Sequence, residues 1–260
     1  MKKLIPFLLR LLPRPVLIRM SYFFMRFSAL FLKGDNVECP VCGSSFKKFL
    51  PYGHQNVREN VLCPKCLSLE RHRLMWLYLK ARTGFFMKDL KVLHVAPEQC
   101  FFKRFRKQQN LEYVTADLES PLADIKMDIQ SIPLNDNAFD VVICNHVLEH
   151  VKDDRKALRE IFRVLKPGGF AILQVPTDIN MNSTYEDDSV TDPKEREKHF
   201  RQKDHFRLYG ADFPERVKAE GFKIREKNYL DEIDTAKKER YRLPENEYMF
   251  GFYKPGQSDI

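Results

Sequence analysis

The chain has 260 residues, 43% of them hydrophobic, which is enough to bury one sizeable core and a small additional module. Its formal net charge is +8, but residues 1–34 contain seven Lys and Arg and no acidic residue, so the rest of the chain sums to about +1. A body this close to neutral disfavours a nucleic-acid partner, because phosphate binding depends on Lys and Arg side chains.

Residues 1–34 form a basic and apolar leader, the first of three predicted domains. Arg19, Arg26 and Lys33 recur every seven residues, so a helix would place them in one narrow stripe and leave most of its surface apolar. No uncharged run in it reaches the ~18 residues needed to cross a bilayer. We expect an amphipathic helix that lies among the lipid headgroups. The protein would then be cytoplasmic and would associate with the inner face of the membrane. The alternative is a helix packed on the protein's own core or on a partner subunit.

Two Cys-Pro-x-Cys pairs follow in the second predicted domain, residues 35–69. Cys39 and Cys42 form the first pair, and Cys63 and Cys66 form the second. Two thiolates at this spacing can bind one ion together, and two such pairs supply the four ligands of a structural Zn²⁺ site. Disulfides are the competing interpretation, although nothing in the sequence marks the chain as secreted. We predict a zinc ribbon.

The third predicted domain, residues 70–260, alternates helices and strands. Its predicted elements are a helix over 67–82, a strand over 91–95, a basic helix over 101–108, strands over 112–116 and 139–144, a helix over 152–165, a strand over 170–175, a helix over 211–220, and final strands over 222–230 and 247–253. The runs 139–144 and 170–175 are apolar apart from Asp140 and Gln174, as parallel strands buried on both faces require. The residues KPGG at 166–169 are expected to stop the amphipathic helix that joins the two runs. The two strands and this helix predict a right-handed crossover and an α/β fold class.

Three motifs of this domain occur together: FDVV at 139–142, VLEH at 147–150 and LKPGG at 165–169. In this order and spacing they resemble the second half of class I S-adenosylmethionine-dependent methyltransferases of the type 11 kind. The resemblance covers about residues 70–255. It implies a Rossmann-like seven-stranded sheet whose last two strands form an antiparallel hairpin, S-adenosylmethionine as the cofactor, and methyl transfer as the reaction.

The resemblance also implies roles for residues at the ends of the predicted strands. Asp117 matches the acid that accepts hydrogen bonds from both ribose hydroxyls of the cofactor. Asp128 matches the acid that meets the adenine amino group, and Ile129 would pack near the adenine ring. Asn145 follows the fourth strand, at the carboxyl edge of the sheet where ligands bind in open α/β folds.

The loop after the first strand departs from the family pattern. The family loop is rich in glycine, whereas this chain reads HVAPEQC over 94–100. Ala96, Glu98 and Cys100 stand where glycine is common, and His94 stands where an acid is common. One interpretation is a rebuilt pocket in which Glu98 meets the cofactor's ammonium group, and the other is an inactive pocket on a scaffold. We favour the rebuilt pocket, because the other cofactor positions are present.

The polar connection over 177–204 is longer than usual and is interpreted either as a lid over the methyl acceptor or as a disordered segment. Inside it, Asp192 followed by Pro193 predicts the start of a helix.

Three histidines near this connection are candidate catalytic bases. A base is needed if the acceptor atom is a hydroxyl oxygen. The candidates are, in order of preference, His205 within DHFRLYG at 204–210, then His150 and His146. The other polar residues of DHFRLYG, Asp204, Arg207 and Tyr209, are expected to bind the acceptor. For His150 the alternative is a structural role, and Glu149 beside it is interpreted as structural.

The leading functional hypothesis is therefore an S-adenosylmethionine-dependent methyltransferase acting on a small-molecule, glycan or lipid-linked acceptor near the membrane surface. The leader motivates this class of acceptor. The first alternative is an RNA base methyltransferase with a zinc module. The second is a non-catalytic scaffold with a degenerate cofactor loop.

Overall fold

The computed structural model describes residues 27–53, 57–226, 229–245 and 247–256. The chain divides into two units. The first ends at Leu77 and also takes in Ile233–Glu245, while the second comprises Tyr78–Glu232 and the chain after residue 245. Two stretches of the third predicted domain, 70–77 and 233–245, thus belong to the unit that contains the cysteine pairs.

Most of the predicted leader, residues 1–26, lies outside the described residues. Residues 27–31 are helical, but Lys33 is the first residue of a strand, so the predicted helical stripe does not extend to Lys33. Phe27, Leu30 and Phe31 are 58%, 70% and 71% exposed, so the described end of the leader presents apolar side chains to solvent. In the described part of the chain, no helix combines the length and the apolar character needed to span a bilayer.

The first unit is built from two short antiparallel hairpins and helical segments. Strand β1 (Lys33–Cys39) pairs with β2 (Ser44–Phe46), and β3 (Leu50–Tyr52) pairs with β4 (Arg58–Leu62). Helix α1 (Glu70–Arg82) begins in this unit. Isolated hairpins of this size are at best marginally stable in water, so the unit needs further stabilisation.

The second unit contains the seven-stranded sheet that the sequence predicts. Its strands are β5 (Leu90–Val95), β6 (Leu111–Asp117), β7 (Ile125–Lys126), β8 (Phe139–Asn145), β9 (Leu165–Gln174), β12 (Lys223–Glu226) and β13 (Gly251–Tyr253). They lie side by side in the order β7-β6-β5-β8-β9-β13-β12. The pairs from β7 to β9 are parallel, whereas β13 is antiparallel to both neighbours. The α/β fold class and the antiparallel terminal hairpin are confirmed.

The remaining elements of this unit connect and cover the sheet. They are α2 (Gln99–Phe105), α3 (Asp154–Val164), the short pair β10 (Tyr185–Glu186) and β11 (Arg207–Leu208), α4 (Pro193–Phe200) and α5 (Phe213–Lys218). One further helix, α6 (Thr235–Tyr241), belongs to the first unit. The predicted helix start is confirmed, because Asp192 caps α4 by accepting from the N–H groups of Lys194 and Glu195.

Strand β9 begins five residues before its predicted start at 170. Leu165 already has extended backbone and pairs with Phe139, so α3 ends at Val164 rather than at the glycines. The residues 166–169 then bulge out of the ladder, and pairing resumes between Phe170 and Val141. The glycines therefore form a bulge inside the strand and do not stop the helix.

The order of the strands locates the ligand crevice. From β5 the chain moves to β6 and β7 on one side, and it returns to β8 on the other side of β5. The direction of strand order thus reverses between β5 and β8. In open α/β sheets, ligands bind outside the carboxyl ends of the strands at such a point. The crevice is therefore bordered by the loops that follow Val95 and Asn145.

Candidate functional site

Both loops at the crevice contain a residue with left-handed backbone. Ala96 has φ 49° and His146 has φ 53°. Ala96 occupies one of the positions where the resembled family commonly has glycine, so the loop retains a glycine-like conformation although this residue carries a Cβ atom. Its N–H donates to the carbonyl of Ala116 at 2.8 Å. A non-glycine residue in this region costs on the order of 1–3 kcal/mol, which the surrounding structure must offset.

Glu98 connects the loop after β5 to the end of β8. Its Oε1 accepts from Nδ2 of Asn145 at 3.0 Å, and its Oε2 lies 2.6 Å from Nε2 of the fully buried His94. Because a carboxylate only accepts, Nε2 of His94 donates, and Nδ1 then accepts from the hydroxyl of Tyr113 at 2.8 Å. The chain thus fixes one carboxylate at the crevice.

Asp117 and Asp128 lie at the far side of the crevice. Asp117 ends β6, and its Oδ1 accepts from the N–H groups of Glu119 and Ser120, each at 2.8 Å. Within the described part of the chain its Oδ2 has no hydrogen-bond partner, so this oxygen can accept from a ligand hydroxyl. Asp128 is exposed and accepts from the backbone N–H of Gln130, while Ile129 is 4% exposed within the core.

Glu149, His150 and His205, which we call the acceptor-side group, come together although they are distant in sequence. The rings of His150 and His205 meet edge to face with centroids 4.7 Å apart. One ligand atom from each of the three residues lies within 4.8 Å of the others. His146 joins from the other end of the motif, its Nδ1 lying 3.4 Å from Oε1 of Glu149. The three candidate histidines are thus neighbours on the loop after β8 and the segment before β11.

Two polar side chains of the acceptor-side group are almost completely buried. Glu149 is 2% exposed and His205 is 4% exposed. Burial lowers the pKa of His205, although the nearby Glu149 carboxylate opposes this shift. Nδ1 of His205 lies 3.2 Å from the carbonyl oxygen of Phe200, which can only accept, so Nδ1 carries a proton, and in the neutral ring the lone pair is on Nε2.

A buried ionic network keeps the segment 204–210 in place. Arg207 donates to the carbonyls of Leu148, Val151 and Lys152 at 2.5–2.8 Å. The N–H of Phe206 donates to the carbonyl of Glu149 at 2.8 Å. These bonds fix His205 beside the loop after β8.

The network is anchored on Asp154, at the start of α3. The side chain of Asp154 is 1% exposed, and it accepts from the Tyr209 hydroxyl at 2.7 Å and from two guanidinium nitrogens of Arg216 at 2.6 and 2.7 Å. Burial alone would raise the pKa of Asp154, but hydrogen bonds from Arg216 and the charge of Arg207 hold this pKa below its usual value. The polar residues of DHFRLYG that the sequence assigned to acceptor binding, Arg207 and Tyr209, are buried in this network instead.

The four cysteines of the predicted zinc ribbon lie together in the first unit. Sγ of Cys39 is 3.5 Å from Sγ of Cys66, and Sγ of Cys42 is 3.8 Å from Sγ of Cys63. Four thiolates bound tetrahedrally at ~2.3 Å from one ion are about 3.8 Å from one another, so these distances fit a shared Zn²⁺. All four thiols are free rather than bonded as disulfides. The cluster could therefore hold a structural zinc ion with no open position.

Arg73 is a residue of the first unit that the sequence does not reveal. Its side chain is completely buried in α1. The guanidinium group donates to the carbonyls of Val61 and Ser68 near the cysteines, and to the carbonyls of Tyr241 and Arg242 at the end of α6. It therefore fastens the returning segment 233–245 to the cysteine module. The periodicity of α1 gives no signal for a buried arginine.

The part of the chain that borders the crevice matches a family of known proteins. Residues 82–173, which run from the end of α1 almost to the end of β9, match the family described as "Methyltransferase domain". A stretch of 65 residues is 37% identical to the ubiquinone/menaquinone biosynthesis C-methyltransferase UbiE of Idiomarina loihiensis, covering 24% of this chain and 26% of that protein. Another of 44 residues is 50% identical to the uncharacterized protein YafE of Escherichia coli K12, covering 17% and 21%. These stretches span about a quarter or less of each relative.

Solved structures resemble the chain over a longer range. An S-adenosylmethionine-dependent methyltransferase from Mesorhizobium loti is 17% identical, with 69% of this chain and 96% of that chain covered at a TM-score of 0.48. A 1,6-didemethyltoxoflavin-N1-methyltransferase from Burkholderia thailandensis is 14% identical, with 70% and 78% covered at a TM-score of 0.47.

Proposed function

Residues 82–173 form a methyltransferase domain, and from this premise we propose that the chain transfers a methyl group from S-adenosylmethionine to a small-molecule, glycan or lipid-linked acceptor near the membrane surface. The family match confirms the recognition of a class I methyltransferase made from the FDVV, VLEH and LKPGG motifs. The observation that carries the proposal is the crevice between β5 and β8. The polar residues that would bind the cofactor and the acceptor-side group lie at the same edge of the sheet there.

The residues of the crevice fit the cofactor. Oδ2 of Asp117, which has no partner within the described residues, suits a ribose hydroxyl, and the left-handed backbone of Ala96 keeps the glycine-like turn of the loop beside the crevice. Asp128 and Ile129 would hold the adenine, while Glu98, fixed by Asn145, would face the ammonium group. When bound, S-adenosylmethionine supplies an electrophilic methyl group on its sulfonium.

The protein's own contribution is to position the acceptor. Two reactants held in the right geometry react as if at very high concentration, and this accounts for much of the catalysis of a displacement reaction. We assign the binding of the acceptor to the acceptor-side group with His146 nearby, and the rigid placement of this group to the network around Asp154. The ordered elements β10 and α4 in the segment 177–204 support its role as a cover over the acceptor, which would exclude water.

The exposed apolar side chains of residues 27–31 and the charges of the leader support an acceptor near a membrane. Phe27, Leu30 and Phe31 are suited to insert among lipid headgroups, and Arg19, Arg26 and Lys33 are suited to meet their phosphates. The proposed location is therefore the cytoplasmic face of the membrane. The near-neutral body favours this over RNA as the acceptor.

We expect label from methyl-labelled S-adenosylmethionine to enter the glycan or lipid-linked fraction of an extract from the source cells. The label should enter a membrane-containing extract more efficiently than a delipidated one, and a variant with Arg19→Glu, Arg26→Glu and Lys33→Glu should lose this difference. The matched control is Lys47→Glu, Lys48→Glu and Lys65→Glu, which changes charge by the same amount outside the leader. Label that becomes soluble on ribonuclease treatment would contradict the proposed acceptor class.

A further inference from the structure

The acceptor-side group contains two buried polar atoms that lack a hydrogen-bond partner in the described part of the chain. Within the described residues, neither Oε2 of Glu149 nor Nε2 of His205 has a hydrogen-bond partner. A buried polar atom left without a partner costs about 1–3 kcal/mol, so native proteins keep few of them. Both atoms offer an electron pair, because Nδ1 of His205 carries the ring proton. They therefore cannot satisfy each other, and both require a cation or a donor from outside the chain.

The geometry of the group matches a metal site. The three ligand atoms of Glu149, His150 and His205 lie within 4.8 Å of one another. Nitrogen and oxygen ligands at ~2.0–2.2 Å from one ion are about 3–4 Å apart, so a shortening of these separations by about 1–2 Å would close the site. Two imidazoles and one carboxylate suit divalent iron, manganese or zinc and leave coordination positions open. Since His150 is exposed, an acceptor can reach an ion held by this group from solvent.

Neighbouring groups orient the ligands in the way that metal sites require. Oδ2 of Asp204 lies 3.3 Å from Nδ1 of His150, which leaves Nε2 of that ring for an ion. The carbonyl of Phe200 orients His205 in the same manner through Nδ1. A metal-bound histidine typically donates its other ring N–H to a carboxylate or a carbonyl, which fixes its tautomer. Both histidines have such a partner.

We propose that Glu149, His150 and His205 bind a divalent transition-metal ion whose open positions bind a hydroxyl oxygen of the methyl acceptor. This inference rests on the proposed function and names the acceptor atom. The ion stabilises the alkoxide, so the O–H proton leaves to water. The oxygen–methyl bond then forms as the methyl–sulfur bond breaks, and the bonding electron pair stays on sulfur, which becomes a neutral thioether.

The test is a titration of the zinc-loaded full chain with Mn²⁺. Binding is monitored as the loss of the free Mn²⁺ signal in electron paramagnetic resonance. Mn²⁺ prefers oxygen and imidazole ligands over thiolates, so the cysteine cluster keeps its zinc. We expect one Mn²⁺ per chain. Glu149→Gln and His205→Gln should each weaken binding by at least about 100-fold, since each removes a direct ligand and loss of a mere supporting group already costs 10–100-fold. His199→Gln, which changes an exposed histidine on α4, should bind Mn²⁺ as the parent does.

Each variant is also tested for binding of S-adenosylhomocysteine and for its unfolding midpoint, so that misfolding is recognised. A folded parent that binds S-adenosylhomocysteine but no Mn²⁺ overturns the metal site and leaves the proposed function standing. Equal Mn²⁺ binding by the parent and by Glu149→Gln overturns it as well. Mass spectrometry of the labelled product should place the methyl group on oxygen, and a methyl group on nitrogen or carbon would overturn the assigned acceptor atom.

Discussion

A Cys63→Ser chain is expected to lose its bound zinc and the folded state of its first unit. The apparent binding free energy of a structural Zn²⁺ in a small module is about 10–16 kcal/mol at pH 7, which exceeds the total stability of most domains. The hairpins β1–β2 and β3–β4 are too short to fold alone. The four sulfur atoms lie within 4.8 Å of one another, with 3.5 Å between Cys39 and Cys66 and 3.8 Å between Cys42 and Cys63, so they are already arranged around one point.

Metal analysis should give about one zinc per chain for the parent and none for Cys63→Ser. Amide hydrogen exchange should lose protection over 33–77 and also over 233–245, because Arg73 ties the end of α6 to the cysteine module. Cys100→Ser is the control, because it replaces a buried cysteine of the second unit that forms no disulfide, and it should keep the zinc. A zinc-free parent with full protection over 33–77 would contradict the zinc ribbon.

Asp154→Asn is expected to reduce the free energy of unfolding by about 3–5 kcal/mol at pH 7. The substitution keeps the size of the side chain but removes the buried charge that faces Arg216 and Arg207, so within the described residues both buried guanidinium groups keep only Glu186, which is 44% exposed, as a counter-charge. Asp136→Asn is the matched control, because Asp136 pairs with Arg163 at the surface with 66% of its side chain exposed. Its loss should cost less than about 1 kcal/mol. Urea unfolding at pH 7 measures both values.

The loss of unfolding free energy caused by Asp154→Asn should depend on pH in a definite direction. The pKa of Asp154 is held below its usual value, so the contribution of its carboxylate to stability is complete above about pH 4, the unfolded value. This contribution is lost as the pH falls through the folded pKa. The difference between the parent and Asp154→Asn should therefore shrink at pH 3. A difference of the same size at pH 3 and pH 7 would mean that packing rather than charge explains the loss.

The sheet was predictable because its signals are local. The apolar runs at 139–144 and 170–175 and the periodic face of α3 lie within one continuous segment, and each burial requirement can be read from neighbouring residues. The strand ends that carry Asp117 and Asn145 follow from the same signals. The start of β9 was misjudged because the glycines at 168 and 169 mark a bulge as well as a helix end, and sequence alone does not separate the two.

The arrangement of the site depends on contacts that the sequence does not encode locally. His205 reaches Glu149 only because Arg207 binds three carbonyls of the loop after β8, a contact across more than fifty residues. The sequence predicted a role for Arg207 on the acceptor, since a long polar side chain in a motif gives no sign of burial. Likewise, Ala96 shows no sign in the sequence that its backbone is left-handed, because this region is usually occupied by glycine.

The most direct test of the central claim is calorimetric titration of the zinc-loaded chain with S-adenosylhomocysteine. We expect one molecule to bind per chain, and Asp117→Ala to weaken binding at least about 100-fold, since two hydrogen bonds to a charged carboxylate contribute ~1.5–3 kcal/mol each. Glu119→Ala, which changes an exposed neighbouring acid and keeps the N–H that binds Asp117, should bind as the parent does. If the folded, zinc-loaded parent binds no S-adenosylhomocysteine, the chain is a scaffold and the proposed methyl transfer is wrong.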